Sequence, residues 1–238
     1  GITDPQKVRN AGFEIFKVTE EFDNLVISYI IKKTDTLYIN FSSGAAYGTG
    51  FAGPVMRSSK SELDINNIQP ADFYRIAKIN AEAKHRSLEK NIVDLRVFSY
   101  FSRFIDLSSS YLMTDIINSI RNNTVMNTGS ADIIRDYIHP DDLFSMIMLC
   151  SDKKEINEVF DVYSAEPVSK FDLLKLCKER YGLKYSINEN MHIPAATGVK
   201  NIYYTNNHHA QSLGYNPGYT SLKCIETEMD VILNYKTY

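Results

Sequence analysis

Tyr74 and Lys78 stand four residues apart in the stretch FYRIAK, residues 73–78. On a helix, that spacing puts both side chains on one face. A free phenol titrates near about 10, too high for a general base at neutral pH. An ammonium one turn further along favours the phenolate and moves the titration in the useful direction. The chemistry on offer is proton transfer to or from a substrate oxygen. Taken alone, a Y-x-x-x-K pair is most often a solvated helix face, so its surroundings decide. Upstream, an apolar run leads into FSSGAAYG, residues 41–48, which sets Ser43 at the C-terminal end of a strand. Open α/β sheets place their ligands there.

Those residues need a framework. Residues 5–33 carry Phe13, Phe16, Val18, Phe22, Leu25, Val26, Tyr29 and Ile30 at helical spacing and end in Lys32-Lys33, which predicts one long helix or two shorter ones. TLYINF (36–41) reads as a buried strand, and residues 48–68 as an irregular loop. Asp72 is placed to cap a helix running to about Lys90. NIVDLRVF (91–98) reads as the next strand and 110–121 as a helix. RDYIH (135–139) is β-like, and PDD (140–142) opens a helix. NEVFDVY (157–163) is a strand. Residues 168–182 form a helix with Ser169 as N-cap and Gly182 past its end, and two final helices flank GYNPGY (214–219). The alternation predicts an α/β protein: a parallel sheet followed by a smaller α+β lobe.

Composition narrows the class. The 238 residues are 44% hydrophobic and 23% charged, an ordinary globular balance. A net charge of −3 gives no basic field to attract nucleic acid. Cys150, Cys177 and Cys224 are odd in number and far apart, which argues against a disulfide framework and for a reducing, cytoplasmic setting. The longest apolar run, NLVISYII (24–31), is too short to span a bilayer, and no signal peptide is recognisable, so no membrane partner is expected.

Two tempting features read as structural. GTGFAG (48–53) matches G-x-G-x-x-G by letter, but Pro54 follows and no amphipathic run opens a helix that could hold a pyrophosphate. It reads as a loop at the mouth of a cleft. His208 and His209 adjoin and point to different faces, so no shared metal site is expected.

The ordered set FSSGAAYG, FYRIAK, LRVFSYF (95–101) and IIRDYIHPDD (133–142) resembles the extended short-chain dehydrogenases/reductases, the NAD-dependent epimerase/dehydratase family that acts on nucleotide sugars. The resemblance covers nearly the whole chain. It implies a Rossmann-like parallel sheet, incomplete at the N-terminus, to about residue 162, and a substrate-binding lobe over 163–238, with some segments crossing between them. It implies that Tyr74 exchanges a proton with a sugar hydroxyl or keto group and that Ser43 hydrogen-bonds the same oxygen. Lys78 would hold the nicotinamide ribose of NAD or NADP, with Phe98 and Ser99 beside the nicotinamide. Arg135 would meet the diphosphate of a nucleotide sugar, where a forked guanidinium suits phosphate. An arginine that grips the pyrophosphate in several relatives has no counterpart, although Lys200 lies nearby. His139 could be taken for a base, but the resemblance implies a structural role for its stretch, with Asp141 or Asp142 as the helix cap. The helices within 5–33 and 72–90 correspond to those that pair two subunits in relatives, so a homodimer is implied.

The departures from the pattern also carry weight. Ser99 replaces a frequent asparagine, and Arg103 a proline. Gly44-Ala45 replaces the Asp-Glu pair of the 4,6-dehydratases, which favours epimerisation or keto-sugar reduction. The family's N-terminal glycine-rich turn has no counterpart here. GITDP resembles the loop after the family's fourth strand, so roughly 60–90 residues, at about 30 per β–α unit, are expected to precede it. The sequence thus leaves two readings: an NAD(P)-dependent nucleotide-sugar epimerase or reductase, or a truncated member that folds and dimerises without turnover.

Overall fold

The structure is a computed structural model that describes residues 5–33, 35–48, 52–189 and 201–234. The chain opens with two helices, α1 (Pro5–Ala11) and α2 (Glu14–Ile30), broken at Gly12, whose φ of +52° suits glycine. Strand β1 (Tyr38–Ser43) follows, then a 3-10 turn over Gly44–Tyr47, and after a long loop α3 (Phe73–Arg86), β2 (Ile92–Val97) and β3 (Ser99–Tyr100). Next come α4 (Leu112–Arg121), β4 (Val125–Gly129), β5 (Ile134–Arg135), β6 (Tyr137–Ile138), α5 (Pro140–Ser151) and β7 (Asn157–Val162). The chain continues through β8 (Val168–Ser169), α6 (Lys170–Tyr181), β9 (Lys184–Asn188), β10 (Ile202–Tyr203) and α7 (Ser221–Asn234).

The central sheet runs β1-β2-β7, all parallel, with Ser43 opposite Val97 and Val97 opposite Val162. This is the expected α/β, Rossmann-like arrangement. Strand alternation gives β2 two unlike faces. Val93 and Leu95 face a core shared with Met146 and Cys150 of α5, with Phe160 and with Tyr215. Asp94 and Arg96 point the other way, beneath α3, where Arg96 binds Glu82, Ser42 also reaches Glu82, and Asp94 lies 2.9 Å from His85. His85, with no exposed surface, also reaches Asp23 of α2 at 2.8 Å. One imidazole thus ties α2, α3 and the sheet together. A second apolar core joins residues between Phe101 and Tyr137 to residues between Val168 and Ile232.

Several expectations change at the level of local chemistry. The first strand runs two residues further than TLYINF and takes in both serines. Asp72 does not cap α3. It closes the preceding 3-10 turn, accepting from the Gln69 amide at 2.9 Å, and its other oxygen holds Arg75 at 2.8 Å. The cap of α5 is neither Asp141 nor Asp142 but His139, whose Nδ1 accepts from the Asp141 amide at 3.1 Å. Asp142 instead accepts from the amides of Gly218 and Tyr219. The first of the two expected final helices is a 3-10 turn over His209–Leu213. Ser169 and Gly182 cap α6 as read from sequence, Gly182 in the left-handed region at φ +70°. Of GTGFAG, Thr49–Phe51 lie outside the described residues; from Ala52 to Asp64 no helix begins. No described helix is long and apolar enough to cross a membrane.

Candidate active site

Ser43 ends β1 and begins the 3-10 turn, its Oγ accepting from the Ala45 amide at 3.2 Å. Helix α3 passes beside this turn, and Tyr74 in its first turn lies near enough to the Ser43 hydroxyl for that group to lower the phenol's pKa. Lys78, one turn on, donates to the Phe41 carbonyl at 3.0 Å, and its Nζ lies 5.7 Å from the centre of the Tyr74 ring. The three expected side chains therefore gather at the C-terminal end of β1, with Ser43 near Tyr74 and Lys78 beside the Tyr74 ring.

The electrostatics correct one expectation. Lys78 does not make Tyr74 acidic. Burial pushes the phenol up to about 12, and the nearby Ser43 hydroxyl pulls back only in part. Burial also lowers the Lys78 ammonium, while Glu82, Asp94 and Asp23 pull it back up. Closing the phenol away from water outweighs an ammonium that lies over the ring rather than on the oxygen. At neutral pH Tyr74 is a proton donor.

Phe98, expected beside a nicotinamide, is buried. Its ring lies 5.1 Å from that of Tyr203 and 6.4 Å from that of Tyr47. It also presses on the backbone at position 44, where an added Cβ would come within 2.5 Å of two ring carbons. Glycine at this position thus has a steric reason. Ser99 sits in β3, paired with Tyr137 of β6. Arg135 is in β5, donates to the Ile134 carbonyl at 2.9 Å and lies 5.7 Å from the centre of the Tyr203 ring. Among the described residues no carboxylate forms an ion pair with it, and burial lowers its pKa. Lys200 lies outside the described residues.

Several residues with no role read from sequence are also part of this site. The Tyr203 hydroxyl lies 3.1 Å from Ser43 Oγ. Tyr47 donates to Asp161 at 3.1 Å beneath the guanidinium of Arg96, 4.3 Å from its ring centre. Asp161 also takes hydrogen bonds from Thr205 at 2.7 Å and Asn207 at 3.2 Å, so it anchors the chain that carries Tyr203. Asp94 and Arg96, two apart in an otherwise apolar strand, were a legible signal that one face of β2 is polar. Tyr203, 160 positions from Ser43, left no such mark. His139 is structural: it stacks on Tyr219 at 3.7 Å, with Nε2 3.4 Å from Glu228, which holds Arg103. His209 binds Glu158 while His208 lies against Tyr163.

A parallel sheet with a serine, tyrosine and lysine at one strand end defines a class, and sequence comparison supports it. The profile of the NAD dependent epimerase/dehydratase family matches residues 15–164, more than half of the chain, which therefore belongs to that family. No curated protein sequence matches. The fold is similar to UDP-glucose 4-epimerase from Thermotoga maritima, solved with UDP-glucose (TM-score 0.74, 19% identity, 94% of this chain and 72% of that one). It is also similar to dTDP-glucose 4,6-dehydratase from Bacillus anthracis, solved with NAD (TM-score 0.71, 13% identity, 89% and 67%). A third likeness is UDP-glucuronic acid 4-epimerase from Bacillus cereus, solved with UDP-glucuronic acid and NAD (TM-score 0.66, 19% identity, 83% and 62%). At these identities the likeness is one of fold, and the chain spans roughly two thirds of the length of these proteins.

Proposed function

We propose that this chain forms the reacting-centre and substrate-binding part of an NAD(P)-dependent nucleotide-sugar epimerase or keto-sugar reductase. The observation that carries this reading is the gathering of Ser43, Tyr74 and Lys78 at the C-terminal end of β1. Lys78 fits the ribose end of a nicotinamide cofactor: one of its three donors is spent on Phe41, and it lies beside the outer edge of β1, which no described strand pairs. Phe98 and Ser99 would complete that end. No described loop cradles phosphates at a helix start, so the adenosine end is not accounted for by these residues. When bound, such a cofactor would accept the hydride that a carbinol carbon gives up and donate it back in the reverse step.

The chain's own residues handle the proton. Tyr74, a neutral phenol, donates to a keto oxygen as it becomes an alcohol, the direction in which a pKa of about 12 serves best. Ser43 holds that oxygen by hydrogen bond, its own geometry fixed by the Ala45 amide. Arg135, a half-buried guanidinium with no carboxylate partner among the described residues, suits the diphosphate. Lys200 is proposed to assist. In this reading residues to 162 form the nucleotide-binding half and 163–238 the substrate lobe. The second core, which draws on residues 101–137, supports segments crossing between them.

A second reading is a folded and dimerising member without turnover; Phe22, Leu25 and Tyr29 of α2, each more than half exposed, offer the dimer face that it needs. A homodimer through α2 and α3 is compatible with both readings. The discriminating experiment is to mix the protein as the cell makes it with NAD, NADP and a panel of UDP- and dTDP-sugars, following nicotinamide fluorescence and products. Cofactor binding with interconversion of at least one sugar supports the enzyme. Binding of neither cofactor refutes it.

A further inference from the structure

The hydroxyl of Tyr203 occupies a chemically specific place. It lies 3.1 Å from Ser43 Oγ, and the Ala45 amide also points at it. The groups gather around the Ser43 hydroxyl: the Tyr203 phenol at 3.1 Å, the Ala45 amide at 3.2 Å, and the phenol of Tyr74 on α3 nearby. Ser43 and Tyr74 are the groups that would hold and protonate a ligand oxygen. The ring that delivers the Tyr203 hydroxyl is itself buried, packed against Phe98 at 5.1 Å. The described cavities, of about 480 Å³ around Lys90 and Glu155 and about 180 Å³ around Gln6 and Asp106, lie elsewhere.

We propose that the Tyr203 hydroxyl stands in for the reacting oxygen of the sugar, so that substrate binding exchanges Ser43 from Tyr203 to substrate and swings the Tyr203 side chain out of the site. This deepens the reading of the site as one for a nucleotide sugar and rests on it. The backbone around Tyr203 is held: Val55 donates to the Tyr204 carbonyl at 3.0 Å and accepts from the Asn206 amide at 2.7 Å, and Thr205 bonds Asp161 at 2.7 Å, so the movement is that of the Tyr203 side chain. Strand β5, which pairs with β10, carries Arg135, whose guanidinium faces the Tyr203 ring. A diphosphate drawn to Arg135 would therefore arrive beside the side chain that must leave. Sequence alone gives Tyr203 no role, because its meaning depends on a contact across most of the chain.

In the free protein the Ser43–Tyr203 hydrogen bond competes with the sugar. Tyr203→Phe keeps the ring and its packing but removes the competing hydroxyl. The variant should bind a nucleotide sugar about fivefold more tightly, the equivalent of about 1 kcal/mol for one neutral hydrogen bond. UDP alone, which has no sugar oxygen to offer Ser43, should bind both proteins equally. The test is calorimetric titration of wild type and Tyr203→Phe with UDP, UDP-glucose, UDP-glucuronic acid and dTDP-glucose. Tighter binding of at least one sugar nucleotide with unchanged UDP affinity supports the stand-in. Weaker sugar binding would make Tyr203 a direct substrate contact, and equal binding a packing residue; either overturns the proposal. If wild type and variant bind none of the four, the nucleotide-sugar reading itself fails and takes the proposal with it.

Discussion

Gly44→Ala is the smallest change that bears on the architecture of this site. The added methyl would lie 2.5 Å from Cδ1 and Cε1 of Phe98 and 2.8 Å from Cγ. Real contacts between such carbons sit near 3.5–4.0 Å, so the ring or the turn must move by about 1 Å or more. Neither moves freely. Phe98 is wedged between Tyr47 and Tyr203, and the turn is pinned by the Ala45 amide on Ser43. Overpacking of this kind costs about 1–3 kcal/mol. For a chain of this size that is a fall in Tm of roughly 2–4 °C per kcal/mol. The diagnostic is a double-mutant cycle with Phe98→Leu, which frees the space that the methyl needs. If the clash is the cause, the double variant recovers about 1 kcal/mol or more relative to the sum of the single losses. Denaturant and thermal unfolding of the four proteins measure this. A neutral Gly44→Ala, or losses that add within about 0.5 kcal/mol, would refute the packing argument and with it the steric reason for glycine at this position.

Three further outcomes are expected. His85 is pushed down by burial but lifted more by its bonds to Asp23 and Asp94, to about 9, so its imidazolium stabilises the fold fully below about 6.5; that contribution is lost as pH rises towards 9. Urea midpoints should fall over this window in wild type, and the His85 contribution to that slope should vanish in His85→Gln; identical slopes would contradict the charged bridge. Arg135→Gln should weaken UDP binding about ten- to a hundredfold, the scale of a lost charge-assisted hydrogen bond, and unchanged affinity in titration would remove Arg135 from the anion site. Leu25→Glu on the exposed face of α2 should give monomers in sedimentation if that face pairs two copies, whereas an unchanged sedimentation coefficient would rule that face out.

What the sequence revealed followed the range of the signals. Ser43, Tyr74 and Lys78 could be placed because each is set by local periodicity, a strand end and a helical spacing of four. Caps were harder. Asp72 has the right residue type, but its carboxylate is taken by Gln69 and Arg75 in the turn before the helix. β4 and β9 escaped notice because VMNTG and KYSIN are short and polar, and they pair with each other across a helix-containing stretch, Val125 opposite Lys184. The depressed phenol expected for Tyr74 failed because spacing reports which face a lysine shares, not how dry the oxygen is. Tyr203 and Asp161 gain their roles only through long-range contacts to Ser43 and Tyr47.

The central claim is that Tyr74 passes the proton at a sugar oxygen held by Ser43. Its most direct test is the turnover of Tyr74→Phe, with NAD and whichever nucleotide sugar wild type converts, measured beside the affinity for NADH. The account predicts a loss of about 10² or more in kcat with NADH affinity nearly unchanged, the usual scale for removing an acid–base group. Turnover equal to wild type would contradict it.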